Sequence, residues 1–215
     1  MQIDFIPFDE NYINDLIRIH RLSFKDHFNS KLGNNYVKHL LKWFAYDKEY
    51  KSIFLLGINA ESKELIGYMC GALEGFQHKL NNDLVIPILL SFITHPHLIV
   101  HPQFWKLFRS KLRAFAGKVE HPEFLEFENK MPNPIYSVNA FALEPSFREK
   151  GFGVFLLDKF FEKFFNEVKA RGLKTVSATI RVDNKPIFTY YKMRKWISAP
   201  AATNSGTLNF YKINE

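Results

Sequence analysis

The stretch VNAFALEPSFREKGFGVFLL, residues Val138–Leu157, decides the fold. An apolar run stops there at Glu144-Pro145, and a second apolar run begins after a short segment that contains glycines and cations. Two of the chain's 10 glycines, Gly151 and Gly153, stand one residue apart at the turn, behind Arg148 and Lys150. A strand that turns sharply into a helix leaves backbone N–H groups unpaired at the helix N-terminus. The helix dipole adds partial positive charge there, and glycine lets a phosphate approach the backbone. The junction therefore predicts an anion-binding loop between a strand and a helix.

Three known patterns of anion-binding loop can be compared with this junction. A Walker A loop requires Gly-x4-Gly-Lys-[Ser/Thr], and the chain has no such run. The dinucleotide-binding pattern requires a third small residue three places after Gly153, where Leu156 stands. The pattern apolar-x-Pro-x-x-[Arg/Gln]-x-x-Gly-x-[Gly/Ala] is filled at every position, by Leu143, Pro145, Arg148, Gly151 and Gly153. In this the segment resembles the acetyl-coenzyme A loop of the GNAT superfamily of N-acetyltransferases.

The resemblance continues downstream of the loop. The second motif of the superfamily has an Asn that begins the next helix, a small residue three positions on, a Tyr seven positions on, and often Gly-Phe after it. Here Asn184 and Tyr191 fill the polar positions, whereas Ile187 replaces the small residue and Lys195 the Gly. The order of strands and helices extends the resemblance to nearly the whole chain. The segment SFKDHFNSKLGNNYVKHLLKWF, Ser23–Phe44, and the proline-interrupted residues 76 to about 134 further resemble a branch of the superfamily found with bacterial surface-polysaccharide genes.

The resemblance implies an enzyme that moves an acetyl group from acetyl-coenzyme A to a primary amine of a small molecule, for which an amino sugar is one candidate. A backbone N–H near Leu143 would stabilise the oxyanion, and Tyr191 would protonate the leaving thiolate, with Tyr190 as the alternative. None of the eight histidines forms an H-E-x-x-H pair, so no metal is expected. The residues that the resemblance assigns to the cofactor are Phe141, Ala142, Leu143, Arg148, Glu149, Lys150, Gly151, Phe152, Gly153, Asn184 and Tyr191.

The general base stays open at the level of the sequence. Many members of the superfamily place a carboxylate on the strand before the loop, but the matching face of this strand carries Phe141, Asn139 and Ser137. Glu74, at the end of the third strand, and His78 beyond it are the alternative bases, although either residue also fits a solvated rim. Proton removal through water from Ser137 or Asn139 is equally allowed.

Hydrophobic periodicity predicts the element order β-α-α-β-β-insertion-β-α-β-α-β-β, which gives a mixed sheet of about seven strands in an α+β fold. Residues 1–215 are predicted to form one domain. One helix is expected from Asn11 to about Phe28, and the clearest helix from Phe152 to Arg171. Residues 76 to about 134, broken by several prolines, predict short helices inserted between the third and fourth strands. We expect this insertion to build the acceptor side, with aromatic side chains at Phe76, Phe104, Trp105 and Phe108.

Composition limits the class of protein. At 47% hydrophobic and 24% charged residues, the chain resembles a soluble globular protein. The net charge of +7 is spread without a block of five or more like charges, which indicates a solvated surface. The single cysteine, Cys70, cannot form a disulfide within the chain, which fits a reducing compartment. It lies in an apolar run, so we expect its thiol to be buried. No secretory signal is visible, so we expect a cytoplasmic protein. We expect it to be a monomer or a homodimer.

The alternative is a binding module with a catalytically inactive GNAT-like fold, for nucleic acid or a membrane surface. Nucleic acid would explain the positive charge but not the spacing of the loop residues, so no nucleic-acid partner is expected. A membrane-peripheral protein would use the apolar run Leu84–Ile93 with the basic residues Lys106, Arg109, Lys111 and Arg113. The run is too short to span a membrane and contains Pro87, and we expect it to cover the core instead.

Overall fold

The computed structural model describes residues 2–100, 105, 109, 121–149, 151–200 and 206–214, without the side chains of Ile99 and Glu149. The strands are β1 (Ile3–Pro7), β2 (Ile53–Asn59), β3 (Leu65–Leu73), β4 (Ile135–Leu143), β5 (Thr175–Arg181), β6 (Ile197–Ser198) and β7 (Thr207–Ile213). The described helices are α1 (Ile13–Ser23), α2 (Phe28–Lys31), α3 (Asn34–Tyr46), α4 (Phe76–Asp83), α5 (Val85–Thr94), α6 (His97–Val100), α7 (Pro122–Asn129), α8 (Pro145–Glu149), α9 (Gly153–Ala170) and α10 (Lys185–Met193).

All seven strands form one mixed sheet in the order β1-β2-β3-β4-β5-β7-β6. Every neighbouring pair is antiparallel except β4 and β5, which run parallel. The parallel pair needs a crossover, and α9 supplies it. This is the predicted α+β fold with a helical insertion between the third and fourth strands, and that prediction is confirmed.

Helices cover the sheet on both faces. On one face, α1 and α3 bury Leu16, Ile19, Val37, Leu40 and Phe44 against side chains of β2 and β3. On the other face, α9 buries residues spaced by three and four, which is the helical period: Leu156, Leu157, Phe160, Phe161, Phe164 and Val168. The two apolar faces of the central strands are therefore both removed from water, which is the main favourable term in folding.

The long helix α9 ends at Ala170, close to the predicted end at Arg171, and Gly172 follows it. This residue follows the last helical turn with φ of +73°, a conformation that glycine adopts without a steric penalty. The N–H of Gly172 donates to the carbonyl of Lys169 and that of Leu173 to the carbonyl of Val168. These bonds satisfy carbonyl groups that a helix end leaves unpaired.

The predicted first helix, from Asn11 to about Phe28, is wrong in its extent. The chain forms a 3-10 turn at Glu10–Tyr12, then α1, and α1 ends at Ser23 because Phe24 leaves the helical conformation. The ring of Phe24 packs on that of His20 at 4.8 Å, which directs the chain into a turn before α2. The apolar period continues through this turn, so periodicity alone extends the helix too far.

The apolar run Leu84–Ile93 covers the core as expected, but only with one side. Leu84, Pro87 and Ser91 of this run are buried, and Ile88 and Phe92 pack partly against the core. The opposite side of α5 is 45–75% exposed, at Val85, Ile86, Leu89, Leu90 and Ile93. Among the described residues, no helix is long and apolar enough to cross a membrane.

A buried histidine makes the stability of the fold sensitive to acid. His20 is 5% exposed, and its Nδ1 lies 2.5 Å from the hydroxyl of Tyr68. Burial, with a smaller effect from the charge of His27, lowers the pKa of His20 from 6.5 to about 4. Below the ordinary pKa the unfolded chain binds a proton that the native chain does not, so stability is lost as the pH falls from 6.5 towards 4.

We therefore expect the free energy of unfolding, measured with urea, to fall by about 2 kcal/mol through His20 between about pH 7.5 and about pH 5. His27, whose pKa is also lowered by burial and then by Arg181, adds a loss of the same sign. His20→Gln should remove the larger part of the acid loss, whereas His39→Gln, at an exposed position, should keep it. An acid loss of the same size in wild type and His20→Gln would contradict the assignment.

Candidate active site

The parallel strands β4 and β5 pair over only part of their length. Ile135–Val138 pair with Thr175–Ala178, and beyond this point β4 continues to Leu143 and β5 to Arg181 without pairing with each other. The two strands thus open a slot in the middle of the sheet, and backbone groups on its edges are free of ladder hydrogen bonds.

A bulge in β4 lies where the slot begins. Cys70 of β3 pairs with Ala140, and Gly71 pairs with Val138, so Asn139 is the extra residue. A bulge bends its strand and re-aims the adjacent side chains and backbone groups. Asn139 is exposed, while Cys70, on the neighbouring strand, is 1% exposed and its thiol pKa is raised by burial. The expectation of a buried Cys70 is confirmed.

The predicted anion-binding loop connects β4 to α9. Its first part forms the short helix α8, after which Gly151 takes φ of +78° and α9 begins at Gly153. The N–H of Gly151 donates to the carbonyl of Arg148 at 3.1 Å, and the N–H of Phe152 to that of Phe147 at 3.3 Å. These two bonds fold the loop back onto α8 and direct the chain into α9.

The first turn of α9 carries unpaired donors. The N–H of Leu156 donates to the carbonyl of Phe152, but those of Gly153, Val154 and Phe155 have no partner among the described residues. No side chain in the described part of the chain caps this end of α9, and its first turn holds no acidic residue. Three adjacent N–H groups with the dipole of an 18-residue helix behind them favour an anion at this position.

The packing of the protein does not itself explain the glycine at 153. A Cβ built on Gly153 meets no described residue within 4 Å, and Gly153 has no positive φ. Gly67 and Gly71 differ, because a Cβ there would lie 2.4 Å and 2.3 Å from backbone oxygens. Gly151 is required by its positive φ, whereas at Gly153 the lack of a side chain leaves open space beside the unpaired N–H groups.

The other residues assigned to the cofactor surround this loop. Ala142 and Leu143 are buried in β4, Phe141 is partly buried there, and Phe152 is exposed before α9. Arg148 is exposed and forms no ion pair among the described residues. Glu149 ends α8, but its side chain lies outside the described part of the chain, as does Lys150.

Tyr191 lies on α10, inside the core between α9 and the sheet. It is 5% exposed, and its ring packs on those of Trp196 at 4.5 Å, Phe210 at 5.1 Å and Phe161 at 6.0 Å. Burial raises the pKa of its phenol well above the usual range. Its hydroxyl makes no hydrogen bond among the described residues. The buried side-chain atoms without a hydrogen-bond partner in the described part of the chain are Ser23 Oγ and Ser30 Oγ, so the Tyr191 oxygen is not among them.

Tyr190 is held by other groups. Its hydroxyl donates to Asp158 Oδ1 of α9 at 2.7 Å, and Arg194 Nε donates to the same oxygen at 2.8 Å. The Arg194 hydrogen bond, with that of Tyr190, holds the pKa of Asp158 below its usual value, and burial raises the pKa of Tyr190. Tyr190 therefore joins α10 to α9.

Asn184 begins α10 as expected from the second motif. Its side-chain oxygen accepts from the N–H of Ile187 at 3.5 Å, and Pro186 follows in the first turn, where its missing N–H costs nothing. Asn184 thus caps α10, whereas no described side chain caps α9.

A row of polar side chains lies on the sheet face opposite α9. Val176 and Ala178 of β5 pack in the core with α9, so Ser177 and Thr179 face the other way. Ser177 Oγ donates to Glu74 Oε1 at 2.7 Å, and Thr179 Oγ1 donates to Asn209 Oδ1 of β7 at 2.7 Å. We define the polar row as Glu74, Ser177, Thr179 and Asn209. It runs along the β5 side of the slot, starting from its closed end, where β4 and β5 still pair.

Glu74 is fixed at this place by its backbone. Its N–H donates to the carbonyl of Ile135 at 3.1 Å, which extends the pairing of β3 with β4 by one residue. Its partner Ser177 lies opposite Ser137 in the parallel register, one position before the slot opens. The structure therefore brings Glu74 beside Ser137 and Ser177. His78 is exposed on α4 and forms no hydrogen bond or ion pair among the described residues.

The insertion borders the polar row at two points. Helix α4 begins at Phe76, directly after Glu74 and Gly75, and Phe76 packs on Phe44 at 5.5 Å. Helix α7 packs on β7, where Tyr211 donates to Glu128 Oε1 at 2.8 Å. Trp105 is exposed, whereas Phe104 and Phe108 lie outside the described residues. In the described part of the chain, no group of three His, Cys, Asp or Glu side chains is placed to hold a metal ion.

No family model matches this sequence, and no curated protein matches it either. Solved structures do match the fold over almost the whole chain. The PaiA N-acetyltransferase of Thermoplasma acidophilum, in complex with coenzyme A, is 11% identical with a TM-score of 0.57, covering 99% of each chain. The structure of SsHAT is 14% identical with a TM-score of 0.61, covering 99% of this chain and 98% of its own.

A third neighbour is the ribosomal-protein-S18-alanine N-acetyltransferase of Escherichia coli. It is 9% identical with a TM-score of 0.52, and the match covers 99% of this chain and 94% of that one. At these identities the likeness concerns the fold. The chain has the GNAT fold, a seven-stranded mixed sheet flanked by helices.

Proposed function

We propose that this chain is an acetyl-coenzyme A-dependent N-acetyltransferase that acetylates a primary amine of a small molecule. One observation carries the proposal: the unpaired N–H groups of Gly153, Val154 and Phe155 border open space at the end of the slot between β4 and β5. A pyrophosphate fits the N–H groups, and an extended chain such as pantetheine fits the unpaired strand edges. Neighbours of the same fold include an N-acetyltransferase in complex with coenzyme A.

The loop and its flanks would hold the cofactor. The N–H groups of α9 would bind the pyrophosphate, and Arg148 would add charge at the loop. Phe141, Ala142 and Leu143 would present backbone groups of β4 to the pantetheine chain, and one of their N–H groups would stabilise the oxyanion. Acetyl-coenzyme A supplies the acetyl group as a thioester and leaves as a thiolate.

The remaining chemistry is proton transfer. The acceptor amine must lose a proton as its nitrogen bonds the acetyl carbon, and the departing sulfur must gain one. Glu74 is the carboxylate at the closed end of the slot. We propose that it accepts the proton of the amine, directly or through a water molecule held by Ser177 or Ser137. Tyr191, on the opposite side of the sheet, would donate the second proton.

Substitution of Glu74 tests the first assignment. Glu74→Gln keeps the shape and the hydrogen bond to Ser177 but cannot accept a proton, so we expect kcat to fall by about 100-fold or more with an unchanged coenzyme A Kd. In contrast, Glu128→Gln removes a carboxylate of the insertion and should raise KM for the amine more than it lowers kcat. A wild-type rate in Glu74→Gln would reassign the base to His78 or to water.

The acceptor is best found by a screen that follows thiol release from acetyl-coenzyme A over a panel of amines. Amino sugars belong in the panel because of the resemblance to proteins of bacterial surface-polysaccharide genes. Transfer to none of the amines, together with no binding of coenzyme A, would contradict the proposed function. The proposal further takes the chain as one cytoplasmic domain with an insertion at residues 76–134 that borders the acceptor.

A further inference from the structure

A second concave site lies outside the slot, between α1, α2 and α3. It is a cavity of about 760 Å³, which is within the range that holds a small molecule. Five cationic side chains line it: Arg18, Arg21, Lys25, Lys31 and Lys38. No Asp or Glu is among its described lining residues, and the remaining ones are Asn, Ser, Ile and Leu. We name it the cationic cavity.

The positive charge of the cationic cavity is only partly compensated. Arg18 contacts Glu144 with both terminal nitrogens, at 3.0 Å and 2.6 Å, and one of these nitrogens lies 3.4 Å from Asp15; the contact with Glu144 is the main cause of its raised pKa. Arg21 donates to the neutral side chain of Asn34 at 2.6 Å. Lys25 and Lys38 form no ion pair among the described residues. Like charges gathered in one concavity repel each other, so their positions favour a bound anion.

A buried hydroxyl in the same cavity gives a second, independent observation. Ser30 lines the cavity and is 4% exposed, yet its Oγ has no hydrogen-bond partner among the described residues. An unsatisfied buried hydroxyl costs about 1–3 kcal/mol, so such groups call for an explanation. Rotation about χ1 to another staggered position would let this hydroxyl donate to a ligand oxygen in the cavity.

We propose that the cationic cavity binds a small molecule that carries phosphate. A single carboxylate would neutralise a minor part of the charge of five cations, whereas a phosphate or pyrophosphate offers two or more charges and many acceptor oxygens. Arginine side chains contact such groups through paired N–H donors, and lysine contacts them as a point charge. The site is distinct from the loop at Gly151 and Gly153, so this proposal does not depend on acetyl transfer.

The cavity also lies near the slot. Arg18 joins it to Glu144, the first residue after β4, and the segment that supplies Lys25, Ser30 and Lys31 also carries His27, whose pKa feels the charge of Arg181 at the end of β5. The phosphate-bearing molecule therefore has two possible sources, the acceptor amine itself or a separate ligand. The experiment must distinguish these sources.

The test is calorimetric titration of the full chain, kept saturated with coenzyme A, with inorganic pyrophosphate. Lys25→Gln/Lys38→Gln should weaken binding by about 10-fold or more, since each lysine contributes a charge-assisted contact. Lys48→Gln/Lys174→Gln removes the same net charge from exposed positions elsewhere and should stay within about twofold of wild type. If coenzyme A does not bind, the comparison of the two double variants still decides the question.

The source is then decided with glucosamine and glucosamine 6-phosphate as amines. If Lys25→Gln/Lys38→Gln raises KM for the phosphorylated amine alone, the cavity holds part of the acceptor. Pyrophosphate binding without any effect on transfer supports a separate phosphate-bearing ligand. The proposal is overturned if pyrophosphate affinity is the same in wild type and both double variants, or if a single-stranded oligonucleotide displaces pyrophosphate and binds more tightly.

Discussion

Gly153→Val is expected to abolish the binding of coenzyme A while the protein keeps its fold. An added Cβ meets nothing within 4 Å among the described residues, and no positive φ is involved, so stability should change little. The valine side chain would occupy the space beside the N–H groups of α9, where a phosphate must approach. We expect calorimetry to show a loss of affinity of about 100-fold or more, about 2.7 kcal/mol.

The chain offers a matched control for the neighbouring glycine. Gly151→Ala places a side chain at φ of +78°, and Gly172→Ala places one at φ of +73° at the other end of α9, both in open space. Both variants should lose about 1 kcal/mol of stability through strain, but only Gly151→Ala should also lose affinity. Arg148→Ala should weaken the binding of coenzyme A by about 10-fold at low salt. This difference from wild type should become smaller at high salt, because salt screens the lost charge. Wild-type affinity in Gly151→Ala, Gly153→Val and Arg148→Ala together would refute the loop assignment.

The parts of the site that follow from local sequence could be predicted. The Gly-x-Gly turn, the helix that begins at Gly153 and the cap at Asn184 depend on residues close together in the chain. Glycine conformation, hydrophobic period and side-chain capping are properties of such short stretches. The order of strands and helices along the chain was also predictable, because each strand is a separate apolar run bounded by turns.

The parts that depend on pairing between distant strands could not be predicted. The slot exists because β4 and β5 stop pairing after Val138 and Ala178, and the bulge at Asn139 depends on the register with β3. The hydrogen bond of Ser177 to Glu74 joins residues 103 positions apart. Alternation in the strand KTVSATIRV placed Ser177 and Thr179 on one face, but it did not show which face borders the slot.

Burial was the other quantity that the sequence did not supply. The apolar run in α5 has a pattern that fits a core helix as well as an exposed one, and only the packing on α3 decided which side chains face the solvent. The cationic cavity was missed for a related reason. Its five cations come from α1, α2, α3 and the turn between α1 and α2, and they stand up to 20 positions apart in the chain, so no cluster is visible in the sequence.

Tyr191→Phe is expected to lower kcat by about 100-fold or more, with the Kd of acetyl-coenzyme A close to that of wild type. The lost hydroxyl would serve the departing thiolate, which exists only late in the reaction, so binding of the ground state does not depend on it. The fold should tolerate the change, because the hydroxyl makes no hydrogen bond among the described residues and the ring keeps its contacts with Trp196, Phe210 and Phe161.

Tyr190→Phe is the matched control for this substitution, since it removes the same atom from the neighbouring residue. It deletes a hydrogen bond to Asp158, so it should cost about 1 kcal/mol of stability and leave kcat near the wild-type value. Burial raises the pKa of the Tyr191 phenol, so any alkaline limb from this group should lie above the pH at which an ordinary tyrosine titrates. A full rate in Tyr191→Phe, with Tyr190→Phe inactive, would transfer the role of general acid to Tyr190 and would require that its bond to Asp158 opens during turnover.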